Sequence, residues 1–97
     1  MIDIRNLNKT KDKSCECNTW KEHWEKHIGL KADRCYIDGC KELDIVGAHI
    51  KRVDNGNHFI IPLCRKHNGF SSDIIMRVSI FYRLRFVSAN VQKTCGK

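Results

Sequence analysis

Long apolar runs are missing from this 97-residue chain. None approaches the roughly 20 residues that a membrane-spanning helix needs, and the opening Met1-Ile2-Asp3-Ile4-Arg5 lacks the apolar stretch of a secretory leader. No membrane is therefore expected as a partner. The expected setting is cytoplasmic, with cysteines reduced or metal-bound. Proline is nearly absent, Pro62 standing alone, and there is no internal repeat or low-complexity segment. So short a chain makes one domain over 1–97, not two. Acidic residues are scarce at one end only. Residues 70–97 hold 5 basic groups and 1 acidic, against 8 and 6 in 1–34 and 5 and 4 in 35–69, so the last third supplies +4 of the net +7. A surplus of this sign favours phosphate-bearing partners through counterion release.

What is abundant is cysteine and histidine, six and five residues. A core this small usually needs disulfides, a metal or a partner chain to be stable. Residues 1–14 are polar without a sustained period and read as a loose N-terminal arm or a short extended lead-in. Thr19 and Glu22 have the spacing of a capping box, in which hydroxyl and carboxylate each satisfy a free backbone N–H. Trp20, His23 or Trp24, and His27-Ile28 then recur at helical spacing up to Gly29, which predicts a short amphipathic helix over 20–28 with both tryptophans on its buried face. The apolar runs 43–50 and 58–63 flank Asp54-Asn55-Gly56-Asn57, a turn signal, and predict a β-hairpin with Pro62 near its end. A helix is expected to start close to Cys64 and run into Asn68. From Met76 to Phe86 apolar residues alternate with Arg77, Ser79, Arg83 and Arg85, broken only by Phe81. That period of two favours one or two strands, with a helix from Ser72 as the competing reading.

The most informative constellation is Cys35-x4-Cys40, a gap of 23 residues, then Cys64-x2-His67. Two close pairs brought together by a hairpin are what a tetrahedral zinc ion requires. Asp38-Gly39 supplies the turn inside the first pair, and Gly39 can adopt the positive φ that lets both sulfurs point inward. Cys64 and His67 lie three apart on one face of a helix start. Buried free thiols or a disulfide framework are the alternatives to one bound Zn²⁺ at these four.

The order of paired cysteines, strand Val46-Gly47-Ala48-His49-Ile50, turn, strand Ile60-Ile61-Pro62-Leu63 and Cys64-x2-His67-Asn68 resembles the zinc-bearing branch of the HNH endonuclease family. The resemblance covers about residues 35–69 and implies a treble-clef, or ββα-metal, core in an α+β domain. It implies His49 as general base on an attacking water and Asn68 as the helix ligand of a catalytic divalent cation, Mg²⁺ or Mn²⁺. Two positions depart from the pattern. Ala48 stands where the family has a metal-binding acid or histidine, and Phe59 where it has its middle asparagine. A cation held by Asn68 without carboxylate help is poorly compensated, since hard cations need oxygen donors and charge. His49 reads equally as a hairpin histidine bonded to a backbone carbonyl, or as an extra metal ligand.

The remaining cysteines, Cys15, Cys17 and Cys95, suggest a closure tying the two chain ends. With His23 or His27 they would complete a second zinc site. A single disulfide to Cys95, or no bond, are the other readings. Trp20 and Trp24 could stack bases but fit a core face better. Arg77, Arg83 and Arg85 on alternate strand positions would track a phosphate backbone, or form a solvated face. The sequence thus points to a small α+β fold around a zinc treble clef, with an N-terminal helix and C-terminal strands. The expected function is nucleic-acid binding without full catalytic equipment. Its rivals are a metal-dependent HNH nuclease that nicks DNA with His49, and a protein-interaction module whose zinc is architectural.

Overall fold

A computed structural model describes residues 1–7 and 20–89. They form an α+β domain with five antiparallel strands, β1 (Ile2–Asn6), β2 (Ile45–Arg52), β3 (His58–Cys64), β4 (Met76–Val78) and β5 (Val87–Ser88). Two helices accompany them, α1 (Trp20–Ile28) and the single turn α2 (Arg65–Asn68). The sheet order is β4-β1-β2-β3-β5.

Helix α1 occupies the predicted span, with Glu22 in its first turn and Lys26 and His27 in its last, where each charge complements the helix dipole. Gly29, at φ 79°, ends it. Thr19, read as its cap, lies outside the described residues. Trp24 is fully buried and Trp20 only half-buried, so the two tryptophans do not share one environment. The hairpin also forms as expected, shifted by two residues on its first strand. Gly56 takes φ 72° in the turn, and Arg52 N–H donates to Asn57 O at 3.0 Å.

Two expectations are corrected. Residues 2–6, read as a loose arm or extended lead-in, are an interior strand of the sheet: β1 pairs with β2 through Ile4↔Arg52 and with β4 through Ile4↔Met76, and Ile4 is fully buried. The alternation over 76–86 yields strand only at its start, in β4; β5 begins just beyond it, at Val87. Ser79 takes a capping position, its hydroxyl accepting from Phe81 N–H at 3.2 Å and its carbonyl from Tyr82 N–H at 3.0 Å. Residues Ile80–Arg85 therefore wind into a 3-10 turn, which also excludes the competing helix from Ser72.

The sheet is curled. The 35–40 segment hydrogen-bonds to β3, through Tyr36 N–H to Pro62 O at 3.0 Å, and to β4, through Asp38 N–H to Arg77 O at 2.9 Å and an Ile37↔Val78 bridge. Two strands intervene between β3 and β4 in the sheet, so one short segment can reach both only if the sheet bends into a ring. Alternation along the strands then fixes two faces. The inner face carries Ile2, Ile4, Ala48, Ile50, Ile61, Leu63, Met76 and Val78, all buried. Each large aliphatic side chain removed from water there contributes about 1.5–3 kcal/mol.

The outer face of the hairpin carries Gly47, His49, Ile60 and Pro62, and α1 lies across it. Helix α2 packs instead toward the inner face. Asn6, which shares that face with its partner Ile50, donates from Nδ2 to His67 O at 2.6 Å and Phe70 O at 3.1 Å. The closest approach of α1 to the sheet is at Gly47, where a Cβ would collide with the backbone of Trp20 and Lys21. Backbone cannot swing aside as a side-chain tip can. Gly47→Ala is expected to lower stability by about 1–3 kcal/mol, as overpacking does. Urea unfolding of the zinc-loaded protein measures this, and a midpoint equal to the parent's would show that α1 does not dock there.

Candidate metal centre

Each of the four cysteine and histidine ligand candidates is placed by a local device. Gly39, at φ 78°, turns the chain so that Cys40 N–H bonds Ile37 O at 3.0 Å and Cys35 and Cys40 face the same point. Cys64 ends β3 and caps α2, its Sγ accepting from His67 N–H at 3.5 Å. The carbonyl of Asp44 takes Arg65 N–H at 3.0 Å, and the Asp44 carboxylate pairs with the Arg65 guanidinium at 3.0 Å, which fixes the start of α2 against the lead-in to β2.

The result is a compact cluster of three sulfurs and one imidazole nitrogen, with all ligand atoms within 4.8 Å of one another. Cys40 Sγ and Cys64 Sγ are 3.9 Å apart, Cys35 Sγ and His67 Nδ1 3.6 Å, and Cys64 Sγ and His67 Nδ1 3.1 Å. Bonds of about 2.3 Å to sulfur and 2.0–2.1 Å to nitrogen give a zinc tetrahedron edges of about 3.8 Å between sulfurs and about 3.5 Å between sulfur and nitrogen. The Cys40–Cys64 and Cys35–His67 separations match those edges, whereas Cys64–His67 is shorter and the whole set spreads to 4.8 Å. They are far longer than a disulfide, and all three described cysteines are free thiols. A Cys₃His set suits one Zn²⁺, soft thiolates with a neutral imidazole.

The electrostatics agree with that chemistry. Burial pushes the Cys35 thiol up to about 12, against the backbone N–H groups of Cys64 and Ile37, which pull it down. Thiolates gathered in such a place need a cation to exist at neutral pH. His67 is held below its ordinary value, by burial first and by Lys66 second, with Glu42 opposing. Its imidazole therefore stays neutral, and ring nitrogen Nδ1 faces the sulfurs. With four protein ligands the site is closed, which is the mark of a structural zinc rather than a catalytic one.

The other described sequence candidates lie outside this cluster. His49 lies on the outer face of β2, half-buried, its ring 5.6 Å from Trp20 and 5.3 Å from His58. Burial first, and then His58, lowers its pKa to about 4. Asn68 is half-buried on α2. Ala48 is buried on the inner face, and Phe59, half-buried, packs edge-on against Phe86 at 5.5 Å. Neither position offers a metal or hydrogen-bonding atom.

For the second zinc reading, Cys15, Cys17 and Cys95 lie outside the described residues. His23 is buried within α1, its Nε2 3.3 Å from Ser88 O, and His27 is exposed. The expected arginine row is corrected by the 3-10 turn. Arg77 lies on β4 and pairs with Asp3 at 3.6 Å, whereas Arg83 and Arg85 lie on the turn. Arg85 reaches Tyr36 Oη at 3.4 Å and stacks over Tyr82. Sequence reasoning passed over Asn6, whose anchoring of α2 spans 61 residues, and the Tyr36–Tyr82 stack; no local pattern signals either.

No protein-family model matches the chain, and no curated protein or solved structure matches it either. Two predictions follow from the geometry. Structural zinc contributes roughly 10–16 kcal/mol in zinc-finger peptides, more than a small domain's whole stability. Cys64→Ser, or a strong chelator acting on the parent, should therefore unfold the protein, as circular dichroism would record; a chelated protein with an unchanged spectrum would remove the metal from the account. His49, neutral when folded and near 6.5 when unfolded, binds more protons in the unfolded state. Its contribution is complete above pH 6.5 and lost as pH falls toward about 4. An NMR titration should put its midpoint near that lower value, and a midpoint near 6.5 would contradict its burial.

Proposed function

We propose that this domain binds nucleic acid through a zinc-built scaffold of treble-clef type and does not hydrolyse it. The observation that carries the reading is a closed Cys₃His cluster in a chain with a net charge of +7. A closed zinc leaves no coordination position for a reacting oxygen, so the metal builds shape and the charge supplies affinity. Exposed cations are spread over the described surface, among them Arg5, Lys31, Arg34, Lys51, Lys66 and Arg83.

The cysteine pair, hairpin and Cys64-x2-His67 turn of helix follow one another as in the HNH pattern, which supports the treble-clef reading. Hydrolysis finds less support. His49 sits under α1 with a conjugate acid near 4, a weak base at neutral pH, and Ala48 offers no metal ligand. The protein-interaction reading draws on exposed Leu43, Ile80, Phe81 and Leu84, of which Leu43 and Phe81 line one pocket.

Titration of a labelled DNA at several salt concentrations tests the proposal. Affinity should fall steeply with salt, and Arg83→Ala should reduce the slope by about 1. Salt-insensitive or absent binding would favour a protein partner. Plasmid nicking with Mg²⁺ or Mn²⁺ that is lost in His49→Ala would replace binding with catalysis.

A further inference from the structure

We infer that the groove between the segment after α1 and the 3-10 turn holds single-stranded nucleic acid, with Phe81 as the platform on which an unpaired base stacks. This rests on the nucleic-acid reading above and gives it a place and a substrate form.

The groove encloses about 490 Å³, and Lys31, Arg34, Tyr36, Phe81, Tyr82 and Arg85 line it. Its aromatic rings are already ordered. Tyr36 and Tyr82 stack face to face, with centroids 3.9 Å apart and planes 8° from parallel, and Phe81 meets Tyr82 edge-on at 5.2 Å. The Arg85 guanidinium sits 5.5 Å from the Phe81 centroid and 5.6 Å from that of Tyr82. Its backbone is tied to the core, since Trp24 Nε1 donates to Arg85 O at 2.8 Å, and its side chain reaches Tyr36 Oη at 3.4 Å. The arginine is thus positioned before any ligand arrives, which reduces the ordering cost of binding.

Against this ordered background Phe81 is 69% exposed, standing edge-on to the stacked tyrosine pair. A large aromatic ring held in solvent by a capped turn, beside Lys31, Arg34 and Arg85, combines a π-face with phosphate-attracting charge. That is the pairing used by proteins that bind single strands. Asp33 also borders the groove, and Arg34 lies 3.7 Å from its carboxylate, so the remaining balance is positive. A duplex keeps its bases paired and offers no free face to such a ring, whereas a single strand does. An acidic peptide would satisfy the cations but would not need an aromatic ring exposed beside them.

Anisotropy of a short labelled oligothymidine, compared with a duplex of the same length, tests the assignment. The proteins are the parent, Phe81→Ala and Phe81→Trp, all checked for zinc content. Phe81→Ala should weaken single-strand binding by about 5- to 100-fold and leave duplex binding within about twofold, with Phe81→Trp retaining parental affinity. Single-strand affinity unchanged in Phe81→Ala would overturn the groove assignment while leaving the nucleic-acid reading intact. A parent that binds neither strand form would overturn both, and binding of an acidic peptide in its place would name the partner class.

Discussion

Three sulfurs and an imidazole nitrogen, drawn from two segments on either side of the hairpin, converge where the sheet needs closing. The Cys35–Cys40 turn does two things at once. Its backbone bridges β3 to β4, completing a ring that hydrogen bonds between the strands alone do not complete. Its side chains, meanwhile, share a cluster with the end of β3 and with α2. A metal tetrahedron there would convert two separately weak attachments, a six-residue loop link and a one-turn helix, into one rigid corner. A domain of this size buries too little apolar surface to hold such pieces without a cross-link. The inner aliphatic face is then sealed on its open side, and Asn6 reaches across to fix the far end of α2.

That corner also sets what the rest of the molecule can do. Because α1 lies across the outer face of the hairpin, a residue's parity on β2 decides whether it faces that helix. His49 has the parity of Gly47 and meets α1. Beside it stand Trp20 and His58, and its neighbour Ala48 offers no side-chain ligand. The surface instead offers fixed shape and a surplus of cations, with the 3-10 turn presenting its aromatic edge to solvent.

Much of this was legible in the sequence. The spacing of the four ligands, the Asp54–Asn57 turn and the periodic apolar positions ending at Gly29 are local signals, and the structure keeps all three. Strand β1 was not legible, because its partners around Arg52 and Met76 lie far along the chain and its five residues carry no turn signal of their own. The 3-10 turn was hidden for a different reason. Apolar residues alternating with arginine describe a strand and a tight solvent-exposed turn equally well, and the capping hydroxyl of Ser79 decides between them. His49 falls on the first hairpin strand and Asn68 on the short helix, whereas the bonds of Asn6 to the His67 and Phe70 carbonyls join segments more than 60 residues apart and carry no local signal.

If one Zn²⁺ organises the corner at Cys35, Cys40, Cys64 and His67, X-ray absorption at the zinc edge of the purified, reduced protein will show a first shell of three sulfurs at about 2.3 Å and one nitrogen at about 2.0–2.1 Å. A shell of oxygen and nitrogen alone, or protein free of zinc with its cysteines joined in disulfides, would contradict it.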